Sequence, residues 1–111
     1  MIYKMNLSKD PFELIKSGRK VVEMRLCKPG RERIQKGDTI VFINNDDGKT
    51  LSVLVLNIVK FPSFEELYDS YDKSKLGYRK EEIANPSDML IYYKKEDIQK
   101  YGVLAIEIEL L

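Results

Sequence analysis

The chain has 111 residues, of which 43% are hydrophobic and 33% are charged, and its formal net charge is +1. This length suits one hydrophobic core, so we predict a single domain over residues 1–111. The sequence contains no histidine and one cysteine, which excludes Ser-His-Asp triads, Cys-His dyads and zinc sites built on four cysteines or on histidine. We therefore expect neither a metal ion nor a cofactor.

The distribution of apolar residues and cysteine bears on the location of the protein. No uncharged run approaches the roughly 20 apolar residues that a membrane-spanning helix needs, and the N-terminal segment lacks the apolar region of a signal peptide. Because Cys27 has no second cysteine to pair with, the chain fits a reducing compartment. We expect a soluble cytoplasmic protein with no membrane partner.

Five segments rich in β-branched or alternating apolar residues predict strands. In chain order the predicted strands are 2–6, 20–26, 39–44, 51–59 and 103–110. The fourth segment is almost continuously apolar, which indicates a strand buried on both faces. The fifth alternates apolar and acidic residues in its second half, which is typical of a half-exposed strand.

Residues that commonly begin helices predict helical segments between these strands. Asp10 precedes Pro11 in a pattern typical of a capped helix start, and Gly18 favours the left-handed end of that helix. The predicted helical segments are 11–17, 63–71, 85–93 and 95–98, with one further turn at 31–34 in a basic loop. Short strands with helices packed outside them indicate an α+β fold on a small, mostly antiparallel barrel.

Charge is distributed unevenly along the chain. Residues 1–60 hold twelve Lys or Arg and seven Asp or Glu, a net of +5, and residues 61–111 have a net of −4. A basic segment of this kind attracts an anion such as a phosphate backbone, or it is a solvated surface balanced by the acidic half. The basic candidates for ligand contact outside the predicted strands are Arg19, Lys28, Arg31 and Arg33.

Lys20, Glu23 and Arg25 form the densest constellation of charged residues. Side chains alternate along a strand, so Glu23 and Arg25 project to one side, and Lys20 at the strand start can reach that side. The two cations could hold a phosphate while the carboxylate orients them. Alternatively, the carboxylate could act as a base beside the lysine, or the three could form a structural salt-bridge network. We expect them to meet at one open cleft.

Six tyrosines follow residue 67 and lie in the acidic half; Tyr92, Tyr93 and Tyr101 are among them. Tyrosine rings can stack on unpaired bases, and an acidic, tyrosine-rich surface can also contact a protein partner. Alternatively, these rings lie at the edge of the core with their hydroxyls in water. The sequence leaves these alternatives open.

Four stretches of the chain resemble the ASCH domain, a branch of the PUA-like superfamily. They are DPFELIKSG at 10–18 leading into KVVEMR at 20–25, IQKGD at 34–38, DMLIYY at 88–93 and YGVLAIEI at 101–108. The resemblance implies a PUA-like β-barrel flanked by helices, a cleft beside the barrel, and binding of RNA. It also implies that Lys20, Glu23 and Arg25 correspond to the cleft-lining Lys, Glu and Arg of that family.

One ASCH branch hydrolyses acetylcytidine and related acylated nucleosides with a lysine, a threonine and a glutamate. Lys20 matches the lysine, but Glu23 stands at the threonine position, and the distal glutamate has no clear match among Asp72, Glu81 and Glu82. The resemblance therefore favours a module that binds RNA or a nucleotide-like ligand. The alternative is a metal-independent hydrolase of acylated nucleosides or RNA, with Glu23 as base and Lys20 polarising the substrate.

Overall fold

A computed structural model describes all 111 residues and contains a single five-stranded sheet. The strands are β1 Ile2–Leu7, β2 Val22–Leu26, β3 Thr39–Asn44, β4 Thr50–Phe61 and β5 Val103–Leu110. They lie in the order β1-β3-β4-β5-β2. Only β1 and β3 pair in parallel, so the prediction of a mostly antiparallel α+β fold is confirmed. The sheet curls into a half-barrel, and its edge strands β1 and β2 do not pair with each other.

Short helices connect the strands, and one of them begins earlier than predicted. The α-helices are α1 Lys9–Lys16, α2 Phe64–Ser70 and α3 Lys95–Tyr101, and 3₁₀ segments span Arg31–Arg33, Lys73–Leu76 and Pro86–Ile91. Helix α1 starts after Ser8, so the prediction that Asp10 caps it is wrong. Pro11 is the third residue of the helix and is tolerated there because the first-turn N–H groups have no partner within the helix. No helix is long and apolar enough to cross a bilayer.

The other predicted helix starts are found where the sequence indicates them. The Ser63 hydroxyl accepts from the backbone N–H of Glu66, and the Asn85 side chain accepts from that of Ser87. The segment after Asn85 is a 3₁₀ helix that ends at Ile91, and α3 is longer than the single predicted turn. These segments carry the side chains that cover one face of the sheet.

Two clusters of buried apolar residues lie on the two faces of the sheet. We call one the barrel cluster; it includes Phe12 and Ile15 of α1 and Leu104 and Ile106 of β5. The other is the outer cluster, formed by β2, β5 and the segments after β4. Alternate residues of β5, from Val103 to Ile106, enter one cluster or the other and all are buried.

Burial of β4 and β5 differs from the prediction. Only Val53 and Val55 of β4 are buried, and Leu56 is exposed. The alternation is interrupted there because the strand has a register shift between Val55 and Asn57. Strand β5 is instead buried on both faces over its first half, since it pairs with β4 on one side and β2 on the other. Sheet position, which depends on pairing between distant segments, decides burial here.

The alternation of β2 determines which side its charged residues face. Val22, Met24 and Leu26 pack in the outer cluster. Because neighbouring side chains point to opposite faces, Glu23 and Arg25 face the barrel side. They lie at the open edge of the half-barrel, where β2 has no neighbour beyond β5.

Candidate functional site

Lys20, Glu23 and Arg25 form one connected ion-pair group at the open edge. Lys20 Nζ lies 3.0 Å from Glu23 Oε1, and Arg25 Nε lies 2.9 Å from Glu23 Oε2. The backbone N–H of Met24 also donates to Glu23 Oε1, at 3.1 Å. Glu23 is 2% exposed and Lys20 8%, so the carboxylate is buried between two cations and both of its oxygens accept hydrogen bonds.

The turn between α1 and β2 places Lys20 beside this carboxylate. Gly18 ends the helix with a φ of +80°, a conformation that favours glycine. The backbone N–H groups of Arg19 and Lys20 then both donate to the Leu14 carbonyl at 3.0 Å. Gly77 packs against this turn, since a Cβ there would lie 3.5 Å from the Lys20 stem and 3.2 Å from Leu14. The ammonium is therefore positioned by close backbone packing on both sides.

Arg25 connects the two unpaired edges of the sheet. Its Nη2 donates to the backbone carbonyl of Asn6 on β1 at 2.8 Å, while its Nε is held by Glu23. A guanidinium has a rigid planar array of donors, so these two bonds fix its plane. The side chain thus spans the opening between β1 and β2, where no backbone hydrogen bonds join the strands.

A cavity of about 230 Å³ opens at this point, which we call the charged cleft. Its charged lining residues are Lys20, Glu23 and Arg25, which give a net charge of +1. The rest of the wall contains polar residues from β1 and from the β3–β4 turn, among them Asn6 and Asn45. It also contains apolar and aromatic residues from residues 89–93, namely Met89, Tyr92 and Tyr93. The cleft combines preorganised cations with aromatic surface.

The charges around Glu23 determine its ionisation. Burial alone raises the pKa of a carboxyl, but the nearby charges and hydrogen bonds of Lys20 and Arg25 outweigh burial and hold the pKa of Glu23 below its ordinary value. Arg31 is a further positive charge near this group. Its pKa is lowered by burial and by the charge of Arg25. Glu23 is therefore ionised at neutral pH, and the region around the cleft remains cationic.

The remaining predicted basic residues do not join the charged cleft. Arg31 packs against β1, with its Nη1 3.8 Å from the Met5 sulfur, whereas Lys28 and Arg33 are exposed and do not line the cleft. Arg19 is also exposed and lines a different surface cavity together with Arg79 and Lys80.

The acidic candidates for a distal catalytic glutamate also lie outside the charged cleft. Asp72 accepts from the backbone N–H of Ser74 and caps the 3₁₀ segment that follows it. Glu82 accepts from the backbone N–H of Arg79, and Glu81 lines the cavity that contains Arg19. None of the three carboxylates lines the charged cleft, and Glu82 lines a neighbouring cavity whose wall also contains Lys20.

The six tyrosines after residue 67 lie in several different environments. Tyr92 and Tyr93 line the charged cleft, whereas Tyr101 lies under the Lys100 ammonium, 5.2 Å from the ring centre. The Tyr71 hydroxyl is bonded within the chain, since it donates to Glu107 Oε2 at 2.8 Å. The hydroxyls of Tyr68 and Tyr78 are likewise bonded within the chain, as described below.

Comparison with known proteins identifies the family. The model of the ASCH domain matches residues 5–111. The chain belongs to the ASCH domain family. No protein of curated function is significantly similar to it in sequence.

Solved structures support the fold of this ASCH domain. The chain is similar to hypothetical protein PH0355, with 33% identity and a TM-score of 0.84 over 100% of both chains. It is also similar to PF0455 from Pyrococcus furiosus, with 35% identity and a TM-score of 0.75 over 100% of this chain and 98% of that one. The ASCH protein of Zymomonas mobilis shares the fold at 15% identity and a TM-score of 0.65, over 97% of this chain and 66% of that one.

Several residues of the charged cleft are brought together in a way that local sequence patterns do not predict. Asn6 ends up beside Arg25 because β1 and β2 form the two edges of the half-barrel. Asn45 enters from the turn after β3, and Met89 from the 3₁₀ segment Pro86–Ile91. Their proximity to Lys20 depends on strand order, which local patterns do not encode.

Proposed function

We propose that this ASCH domain binds RNA or a nucleotide-like ligand and that Lys20 and Arg25 hold an anionic group of that ligand. The observation that carries the proposal is the double engagement of Glu23, whose oxygens orient both cations at one cleft. Cations that are already ordered lose less side-chain entropy when a ligand binds. Ammonium and guanidinium groups both donate charge-assisted hydrogen bonds to phosphate oxygens.

Charge and aromatic surface in the same cleft fit a nucleotide better than a simple anion. Tyr92 and Tyr93 lie in the wall of the charged cleft, with ring centres 6.3 Å apart. Tyr92 is 54% exposed, and an exposed aromatic ring offers a surface on which a base can stack. A ligand with both phosphate and base can use the cations and the rings together.

The same geometry supports hydrolysis less well. A general base works best when its pKa lies near the working pH, whereas the two cations hold the pKa of Glu23 below its ordinary value. Both Glu23 oxygens also accept hydrogen bonds from Lys20, Arg25 or the Met24 backbone. Together with the absence of the threonine of the hydrolytic branch, these features favour binding.

Salt dependence tests the proposal directly. For single-stranded RNA, each phosphate contact contributes about −0.7 to the slope of log affinity against log salt concentration, so contacts through Lys20 and Arg25 predict a slope of about −1.4. We expect the slope for Arg25→Ala to be shallower by about 0.7, the contribution of one phosphate contact. Lys49→Ala removes an exposed charge just before β4 and is expected to leave the slope unchanged. Affinity that does not respond to salt, or no binding of either RNA or mononucleotides, would contradict the proposal.

A further inference from the structure

A second cavity adjoins the charged cleft. Its volume is about 310 Å³, and it shares Pro11, Lys20, Met24, Met89 and Tyr92 with the wall of the first. Small-molecule sites usually occupy roughly 300–1,000 Å³, so the two cavities together are large enough for a ligand that neither would surround alone. Because Lys20 lines both cavities, they lie side by side.

The second cavity has a hydrogen-bonded chain of three side chains in its wall. The Tyr68 and Tyr78 hydroxyls lie 2.9 Å apart, and the Tyr78 hydroxyl donates to Asp88 Oδ2 at 2.7 Å. Because Tyr78 has one hydroxyl proton and gives it to Asp88, Tyr68 must be the donor to Tyr78. Both tyrosine protons are thus directed along the chain towards the carboxylate.

Because both tyrosine protons are used within this hydrogen-bonded group, its side chains offer a ligand acceptors and no free donor. The lone pairs of the Tyr68 oxygen and the second oxygen of Asp88 accept hydrogen bonds, but neither can donate. Burial, together with the hydrogen bond that Tyr78 donates to Asp88, raises the pKa of Tyr78, so its proton stays in place at neutral pH. A ligand group that faces this wall must therefore present N–H or O–H donors.

The electrostatics of the two cavities are opposite in sign. In the charged cleft two cations line the wall with one carboxylate. In the second cavity the lining carboxylates are Asp10, Glu82 and Asp88, and the one lining cation is the shared Lys20. A second phosphate would be repelled there, whereas the N–H groups of an uncharged amino group can donate hydrogen bonds to the carboxylates.

We propose that the second cavity binds a nucleobase that carries an exocyclic amino group, while the anionic group of the same nucleotide lies in the charged cleft. This inference rests on the proposed function and names the class of base. The apolar side chains of Leu14, Leu76 and Met89 supply surface for the faces of the ring, and the amino group donates to Asp88. A base with a carbonyl oxygen at the same position would set one acceptor against another, leaving both unpaired.

Matched pairs of mononucleotides test the choice of base. The full chain is titrated with CMP and UMP, and with AMP and IMP, which differ at the amino position. A hydrogen bond to a charged group predicts that the amino nucleotide of each pair binds about tenfold more tightly. The same comparison with cytidine and uridine hexamers distinguishes a free nucleotide from a nucleotide within an RNA strand.

Asp88→Asn tests whether the second cavity is responsible. An asparagine amide can donate as well as accept, so we expect the CMP-to-UMP affinity ratio to fall towards one. Asp69→Asn is the matched control, because it removes an equal charge from an exposed position on α2 and is expected to leave the ratio unchanged. Circular dichroism of both variants checks that they are folded.

The outcomes separate this inference from the proposed function. Equal affinity for both members of each pair, with binding lost in Arg25→Ala, overturns the assignment of the base and leaves the anion site standing. Discrimination that survives Asp88→Asn overturns the role of the second cavity. If no nucleotide and no hexamer binds, both proposals fail.

Discussion

Replacing Glu23 with alanine is expected to lower the free energy of unfolding by about 3–5 kcal/mol, the usual effect of removing one partner from a buried ion pair. The substitution leaves the Lys20 ammonium, which is 8% exposed, and the Arg25 guanidinium close together without their shared counter-charge. Glu13→Ala on the exposed face of α1 is the control, and its effect is expected to stay within about 0.5 kcal/mol. Denaturant titration at neutral pH measures both.

The same group predicts a particular dependence of stability on pH. The pKa of Glu23 is lower in the folded chain than its ordinary value, so its contribution to stability is fully present above the unfolded pKa of about 4.3. That contribution is lost as the pH falls through the folded pKa. The difference in unfolding free energy between the wild type and Glu23→Gln is therefore expected to shrink on acidification. A difference that stays constant from neutral pH to pH 3 would contradict this account.

Arg25→Ala is expected to weaken the binding of single-stranded RNA by about 10- to 100-fold, as for the loss of a hydrogen bond to a charged group. Arg25→Lys keeps the charge but cannot make the Glu23 and Asn6 contacts with one rigid planar group, so we expect an intermediate loss. Fluorescence anisotropy with a labelled oligonucleotide measures all of these affinities.

Arg33→Ala provides the contrast for this prediction. Arg33 is exposed in the basic loop and does not line the charged cleft. Because exposed charges interact weakly across solvent and are screened by salt, we expect its removal to change affinity by a factor of about two at most. An effect as large as that of Arg25→Ala would indicate that net positive charge, and not the cleft, is responsible for binding.

Local patterns in the sequence predict much of this structure. All five strands occur close to their predicted positions, and alternation on β2 correctly places Glu23 and Arg25 on one side. Gly18 ends α1 with a positive φ, and Ser63 and Asn85 cap the segments that follow them. These features depend on interactions between residues a few positions apart.

Features that depend on distant segments could not be predicted in the same way. The parallel pairing of β1 with β3 places β1 at one edge of the sheet, and the curl of the sheet then brings Asn6 to Arg25 on the opposite edge strand. The burial of β5 on both faces likewise depends on its place between β4 and β2. The second cavity arises where α1 meets the segments that carry Tyr68, Tyr78 and Asp88, and no spacing in the sequence indicates it.

We propose that the ligand binds in the charged cleft between Lys20 and Arg25. Backbone amide chemical shifts of the ¹⁵N-labelled chain, recorded during titration with a single-stranded RNA oligonucleotide, test it most directly. We expect the largest changes at residues 6–8, 20–25 and 89–93, which surround the cleft. Changes confined to the basic loop 28–36 or to α3, with the cleft amides unmoved, would contradict it.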